Sequence, residues 1–305
     1  MISNWPLRPL SHSEYAAYER RQGAVVIEAS GGYWRRVRPL FYRPVFPIQI
    51  LDPTRVQGPC KARWGGYQFA VHHSAEANST MALLLFRDSG SYRLECLDKK
   101  RRWEVRTASR RFTIRPLENV SELRAAHSVY LDFLQRTKYR YRRDRARAER
   151  FQGWAEAVFQ GRNVLVLGAF SGGEIQAVGI CPTVDQTLIY ATFFARETAL
   201  KQHVASLMLH TIRSLAAGSG SVCQVYVGLR KNGVSRSVDA FYLERGCEVV
   251  LQPACSRVHP LTAWLLRVFQ PGLWARISGT ADLDTARQPV ALPPSSHKRT
   301  VSDTC

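Results

Sequence analysis

The sequence predicts an α+β protein: a mixed sheet with flanking helices, preceded by a smaller strand-rich N-terminal region. Between Leu188 and Leu251 apolar runs alternate with helical stripes, so that strand, helix, strand, helix and strand follow one another. Two such crossovers imply neighbouring parallel strands with helices lying across them. The first third instead has short apolar stretches cut by glycine and proline, a pattern of strands and turns. With 45% apolar residues in 305, the chain can build a core, yet no apolar run reaches the roughly 18 residues of a membrane-spanning helix.

Taken in order, residues 1 to about 20 read as a loose arm with a short helix around Glu14 to Arg21. Ala24 to Glu28 and Tyr33 to Val37 pair as a hairpin about Gly31 and Gly32. Prolines 39, 44, 47 and 53 restrict the apolar residues between them to short or edge strands. Met81 to Phe86 is a strand, Asp88 to Gly90 a turn, and Tyr92 to Leu97 a further strand. Asp98 caps a very basic helix. Phe112 and Ile114 form a strand ended by Pro116. Ser121 caps a helix with the stripe Leu123, Ala126, Tyr130, Phe133 and Leu134. Phe151, Trp154, Ala155 and Val158 mark a second helix, and Val164 to Phe170 pairs with Ile175 to Ile180.

The Leu188 to Phe194 strand leads to a helix capped by Thr198 and Gly218, whose stripe includes Val204, Leu207, Met208 and Ile212. Val222 to Leu229 is the next strand, Asn232 and Gly233 a turn, and Val234, Val238 and Phe241 the stripe of a helix closed by Gly246. Glu248 to Leu251 returns as a strand. After Pro253 comes the amphipathic piece Leu261 to Phe269. From residue 279 the composition, with Pro289, Pro293 and Pro294, is that of a disordered tail.

A formal net charge of +19, from 43 Lys and Arg against 24 Asp and Glu, calls for a polyanionic partner or an anionic surface. Nucleic acid, nucleotide phosphates and lipid headgroups meet that demand equally. The seven cysteines include no C-x-x-C pair, and the adjacent His72 and His73 point to opposite sides of a strand, so no metal is expected. With no signal-like apolar core at the start, the expected address is cytoplasmic.

From residue 112 the order is strand, helix, helix, strand, strand, strand, helix, strand, helix, strand, and the last helix closes on Ala240-Phe241-Tyr242-Leu243-Glu244-Arg245-Gly246-Cys247. The order and this ending resemble the GNAT (acyl-CoA N-acyltransferase) fold. Its last-helix signature is an apolar residue, Tyr, three residues, Gly and an apolar residue. The basic segment Leu97 to Ala108, after a strand-rich third, is similar to the FemAB and BioF2-like branch. The likeness covers roughly residues 90 to 255 and implies an N-terminal region over 1–97, for which a degenerate first GNAT-like half is one reading. It also implies an acyltransferase domain over 98–255, and the residues beyond it read as an amphipathic segment over 256–278 and a tail over 279–305. It further implies transfer of an acyl or aminoacyl group to an amine, from acyl-CoA or aminoacyl-tRNA. GNAT acetyltransferases bind pyrophosphate at a Gly-rich helix start. Here the stretch is Leu200-Lys201-Gln202-His203-Val204-Ala205, whereas the FemAB branch takes aminoacyl-tRNA and does not need that turn.

On this resemblance Tyr242 is the acid for the leaving group, and Glu197, after the Leu188 strand, is a candidate base. Both also have ordinary readings, as an amphipathic tyrosine at a helix edge and as a first-turn acid favoured by the helix dipole. Arg196, Thr198, Lys201 and His203 stand at the same helix start and are candidates for the donor's phosphates. Arg102 and Arg106 in the first basic segment, and Arg140, Arg143 and Arg147 with the interleaved Tyr139 and Tyr141, are candidates for a polyanion such as tRNA, with the two segments bordering one groove. The alternative to an enzyme is an inactive GNAT-like module that binds RNA or an anionic membrane surface through these basic segments, and peripheral membrane contact is compatible with either reading.

Overall fold

The computed structural model describes residues 7–137, 142–161, 163–230 and 236–279. Helix α1 (His12–Arg21) starts in a capping box of Ser11 and Glu14. A hairpin follows, β1 (Val26–Ala29) and β2 (Gly32–Arg38), turning through Ser30 and Gly31, both at positive φ. Then come β3 (Phe41–Pro44), β4 (Gly66–Ala70), β5 (Ser79–Phe86), α2 (Lys99–Ser109), β6 (Thr113–Pro116), α3 (Val120–Ala125), α4 (His127–Thr137) and α5 (Ala148–Phe159). The second half contributes β7 (Val164–Ser171), β8 (Glu174–Val184), β9 (Thr187–Ile189), β10 (Thr192–Ala195), α6 (Glu197–Lys201) and α7 (Val204–Ser219). It ends with β11 (Gln224–Leu229), α8 (Arg236–Leu243), β12 (Glu248–Val258), α9 (Pro260–Phe269) and α10 (Pro271–Ser278).

The strands form one mixed sheet in the order β1-β2-β3-β4-β12-β5-β11-β9-β8-β7-β6, with β10 on β8. Residues on both sides of position 97 share it: β5, from the first third, lies antiparallel between β11 and β12. Its run Met81 to Phe86 is buried throughout because helices cover both faces. Leu84 and Phe86 face α2 and α7, whereas Leu83 and Leu85 face α1. On that second face α3, α4 and α5 pack Leu123, Tyr130, Phe151 and Trp154 onto Val166, Val178, Ile180 and Phe194.

Several local expectations are corrected. Residues 92–97 do not form a strand but hold one short 3-10 turn, Leu94–Cys96, after another at Ser89–Ser91, because both edges of β5 are already occupied and no edge is left for a hairpin partner. The Ser121 cap belongs to Asn119, whose side chain accepts from the Glu122 N–H, and the helix breaks at Ala126. The Thr198 cap is replaced by Arg196, and the long helix is split at Gln202 and His203 and ends on Gly220, at φ 65°, instead of Gly218. β12 runs through Pro253 to Val258; the proline sits where the strand passes from β5 to β4, and its carbonyl accepts from Val71. Val234, Tyr139, Arg140, Tyr141 and the segment 280–305 lie outside the described residues.

Candidate active site

Two backbone features part the sheet in its middle. β9 pairs in parallel with β11 only up to Tyr190, whose N–H donates to the Tyr226 carbonyl at 2.8 Å. The next N–H, of Ala191, turns to Ile180, and β10 continues along β8. On the facing strand Gly228 has φ 135°, and the register of β11 on β5 shifts between Tyr226 and Gly228. A side chain at that φ would be strained, so the bulge requires glycine. Beyond Tyr190 and Tyr226 the strands therefore separate, and a cavity forms on each face.

The larger cavity, about 570 Å³, is apolar: Phe193, Ala195, Leu200, Phe241 and Tyr242 line it, with Asp239 as its carboxylate and Arg136 as its cation. The smaller, about 240 Å³, is polar and lies under α1, lined by Glu19, Arg35, Arg142 and Arg145 among four tyrosines. Arg35 binds Glu19 at 3.1 Å, and Arg145 stacks on Trp154 at 4.5 Å. Tyr190, Ala191, Val227 and Gly228 line both cavities, so the two meet at the point where the strands part.

Tyr242 projects into the apolar cavity from α8, its ring 6.4 Å from Phe86 and 6.5 Å from Tyr190. Burial, then the neighbouring Cys247, push its phenol well above the ordinary value. Asp239 precedes it by one helical turn on the same face, is buried, and lines the same cavity. Sequence reading missed Asp239; its i, i+3 spacing from Tyr242 was the available signal. The polar cavity was missed as well, because α1, β2 and the arginine segment meet only in three dimensions.

The other candidates are distributed differently. Glu197 is exposed, lines neither cavity, and pairs with Lys201 at 2.8 Å; that hydrogen bond holds its carboxyl below the usual range. Arg196 donates to Ser128 at 2.9 Å, and Thr198 is exposed inside α6. His203 takes the left-handed conformation (φ 65°) usual for glycine, and its ring packs on Trp103 at 5.3 Å, so the turn survives without its glycine. Arg106, Arg143 and Arg147 are exposed and Arg102 is half-buried. The two basic segments do not border one groove: α2 covers the α7 face of the sheet, and residues 143–147 lead into α5 on the opposite face.

Behind Tyr242 lies a buried ionic network. Glu104, 4% exposed, accepts from Arg245 at 2.6 Å, from Ser206 at 2.8 Å and from Arg101, which also reaches Glu244. Arg245 donates to the Phe241 carbonyl at 2.7 Å and covers the Phe241 ring at 3.8 Å. α2, α7 and the end of α8 are thereby tied together. Nearby, His210 Nδ1 lies 2.9 Å from the Tyr92 hydroxyl, and Arg213 stacks on Tyr92. Burial, then the charge of Arg213, lower the His210 pKa; Glu95 opposes them. The unfolded chain therefore binds that proton first, and stability should fall as pH drops below the ordinary imidazole value of about 6.5 toward the folded value. Urea midpoints measured across this window should flatten in His210→Gln.

No protein-family model and no curated protein matches the chain. Solved structures do. FemX is similar at 8% identity and TM-score 0.56 over 84% of this chain and 93% of that one. The C-terminal domain (DUF2156) of a putative lysylphosphatidylglycerol synthetase from Agrobacterium fabrum is similar at 13% and 0.52, over 84% and 92%. This chain has the FemAB-like GNAT fold. L-PGS from Bacillus licheniformis is similar over 90% of this chain and 99% of that one, at 11% identity and TM-score 0.52. In that fold the parted strands are β10 and β11, and the sheet position between β11 and β12 is filled from the N-terminal third by β5.

Proposed function

We propose that the chain is an acyltransferase that moves an acyl or aminoacyl group onto an amine at the parting of β10 and β11. The observation that supports this most is the pair of cavities that share Tyr190, Ala191, Val227 and Gly228, so that a donor and an acceptor can approach from opposite faces and meet. In the proposed step the amine lone pair attacks the carbonyl carbon, the C–N bond forms and the bond to the leaving atom breaks. Asp239 takes the amine proton, and Tyr242 gives its proton to the leaving atom. Glu197 has no part in this scheme, since its carboxylate lines neither cavity.

The raised phenol of Tyr242 favours an ester donor. A developing alkoxide is a stronger base than a thiolate, whose thiol has a pKa near 8.5, and so draws a proton from a weak acid more readily. An aminoacyl ester of tRNA fits this better than acyl-CoA. The net charge of +19 also suits tRNA. In this proposal residues 1–97 complete the sheet of the acyltransferase-like residues 98–255, since β5 contributes one of its central strands.

The test is donor consumption by the purified chain, offered aminoacyl-tRNA and acyl-CoA pools in turn with a range of amines. Amine-dependent loss of ester-linked donor is expected, and consumption of neither class would refute the enzyme reading. If Arg140, Arg143 and Arg147 hold a tRNA, replacing all three with Ser should flatten the salt dependence of binding by about one unit of slope per lost phosphate contact. An unchanged slope would assign the run to solvated surface.

A further inference from the structure

The C-terminal helices turn an apolar face outward. α9 places Leu261, Trp264, Leu265 and Val268 at i, i+3, i+4 and i+7, one side of a helix, and none of its residues is buried. Leu261, Trp264 and Val268 are 57%, 56% and 54% exposed, and Phe269 is 70% exposed. Trp64, 69% exposed, is fastened beside them: its carbonyl accepts from Thr262 Oγ at 2.5 Å, and its indole lies 5.6 Å from the His259 ring. A stripe of this kind normally faces a core. Here α9 stands beyond the last strand of the sheet, with Arg267 folded over Trp274 of α10 at 4.5 Å.

The charge along this segment has one sign. From Val249 to Ala281 the sequence contains no Asp or Glu, while Arg257, Arg267 and Arg276 fall within it. Lys61 and Arg63 are exposed next to Trp64. Exposed tryptophan, leucine and phenylalanine flanked by cations form the pattern of a helix that lies in the plane of a lipid interface, apolar side among the acyl chains and cations at the headgroups.

We propose that the α9 face, together with Trp64, docks the chain on an anionic lipid bilayer. The complementary charge selects this occupant over an apolar protein groove, and the docking is independent of the acyl-transfer reading.

Cosedimentation of the full chain with vesicles tests it, using phosphatidylcholine alone and mixtures with phosphatidylglycerol or with phosphatidylserine. Binding is expected to both anionic mixtures and not to phosphatidylcholine alone. Trp264→Ser with Phe269→Ser should weaken it by about tenfold or more, since two exposed aromatics are withdrawn from the acyl region. Lys61→Glu with Arg63→Glu should weaken it and reduce its salt dependence. Equal binding by the wild type and the first double variant overturns the proposal. So does binding restricted to phosphatidylglycerol that survives both variants, which places the lipid in a headgroup pocket. A wild-type dimer that the first variant dissolves assigns the face to a second copy of the chain and overturns it too. Should Trp264→Ser with Phe269→Ser fail to fold, the charge-reversed pair decides: unchanged binding overturns the proposal.

Discussion

Glu104→Gln should cost the folded chain about 3–5 kcal/mol, the usual penalty for removing one partner of a buried ion pair. Glu104 is 4% exposed and Arg245 is 6% exposed, so the substitution leaves the guanidinium with only the more distant Glu244, at 3.7 Å, as counter-charge in a site that water hardly reaches. Arg101 loses one of its two carboxylate partners at the same time and keeps Glu244. Chemical denaturation gives the loss directly. The pH dependence supplies an independent check: burial raises the Glu104 pKa, but Ser206, Arg245 and Arg101 outweigh it, and the net shift is downward. The wild-type contribution is therefore complete above the ordinary carboxylate value and disappears as pH falls through the lowered one, and this acid limb should be absent in Glu104→Gln. Adding Arg245→Met should restore part of the stability, because the stranded charge is then removed. A single variant as stable as the wild type would show that the network is solvated. Since Arg245 also holds the Phe241 carbonyl, loosening it should disturb the turn that carries Tyr242.

Tyr242→Phe should reduce turnover of the accepted donor by roughly 10² to 10⁴ while donor binding stays nearly constant. The substitution keeps the ring and its contacts with Phe86 and Tyr190 and removes only the proton donor. Among the described residues the structure gives the hydroxyl no hydrogen-bond partner, so stability should change by no more than about 1 kcal/mol. Single-turnover rates separate the chemical step from binding. Intact turnover would move the acid elsewhere, and a large loss of stability would make the hydroxyl a structural group.

The polyanion candidates show why part of the site was legible and part was not. Arginine density is a property of composition, so the basic character of residues 98–111 and 138–150 is evident in the sequence. Which of those arginines are engaged is not: Arg101 is committed to Glu104 and Glu244, and Arg145 to the Gln22 carbonyl and Trp154. Arg102 and Arg106, on the same helix α2, lie outside that network. Glu104 is three positions from Arg101, but the other partners come from 32 to 143 positions away in cases such as Arg213 with Arg245 and Arg101 with Glu244, and no local pattern announces them.

Hydrophobic periodicity and capping chemistry act over a few residues, and they suffice for the alternation of strands and helices from residue 112 to 251 apart from the breaks at Ala126, at Tyr190 and Ala191 and at Gln202 and His203, and for the Asp98 cap and the Phe241-Tyr242 helix ending. The α+β architecture follows from that order alone. Which strands become neighbours depends on closing loops of a hundred residues or more, an outcome set by competition among edges and not by any one segment. So it is the folded chain that inserts β5 between β11 and β12, denies residues 92–97 an edge to pair with, and stops the β9–β11 ladder at Tyr190. The resulting parting, with the Gly228 bulge opposite, brings Asp239, Tyr242 and the arginines beneath α1 around one opening, because there unpaired backbones leave room that side chains do not fill.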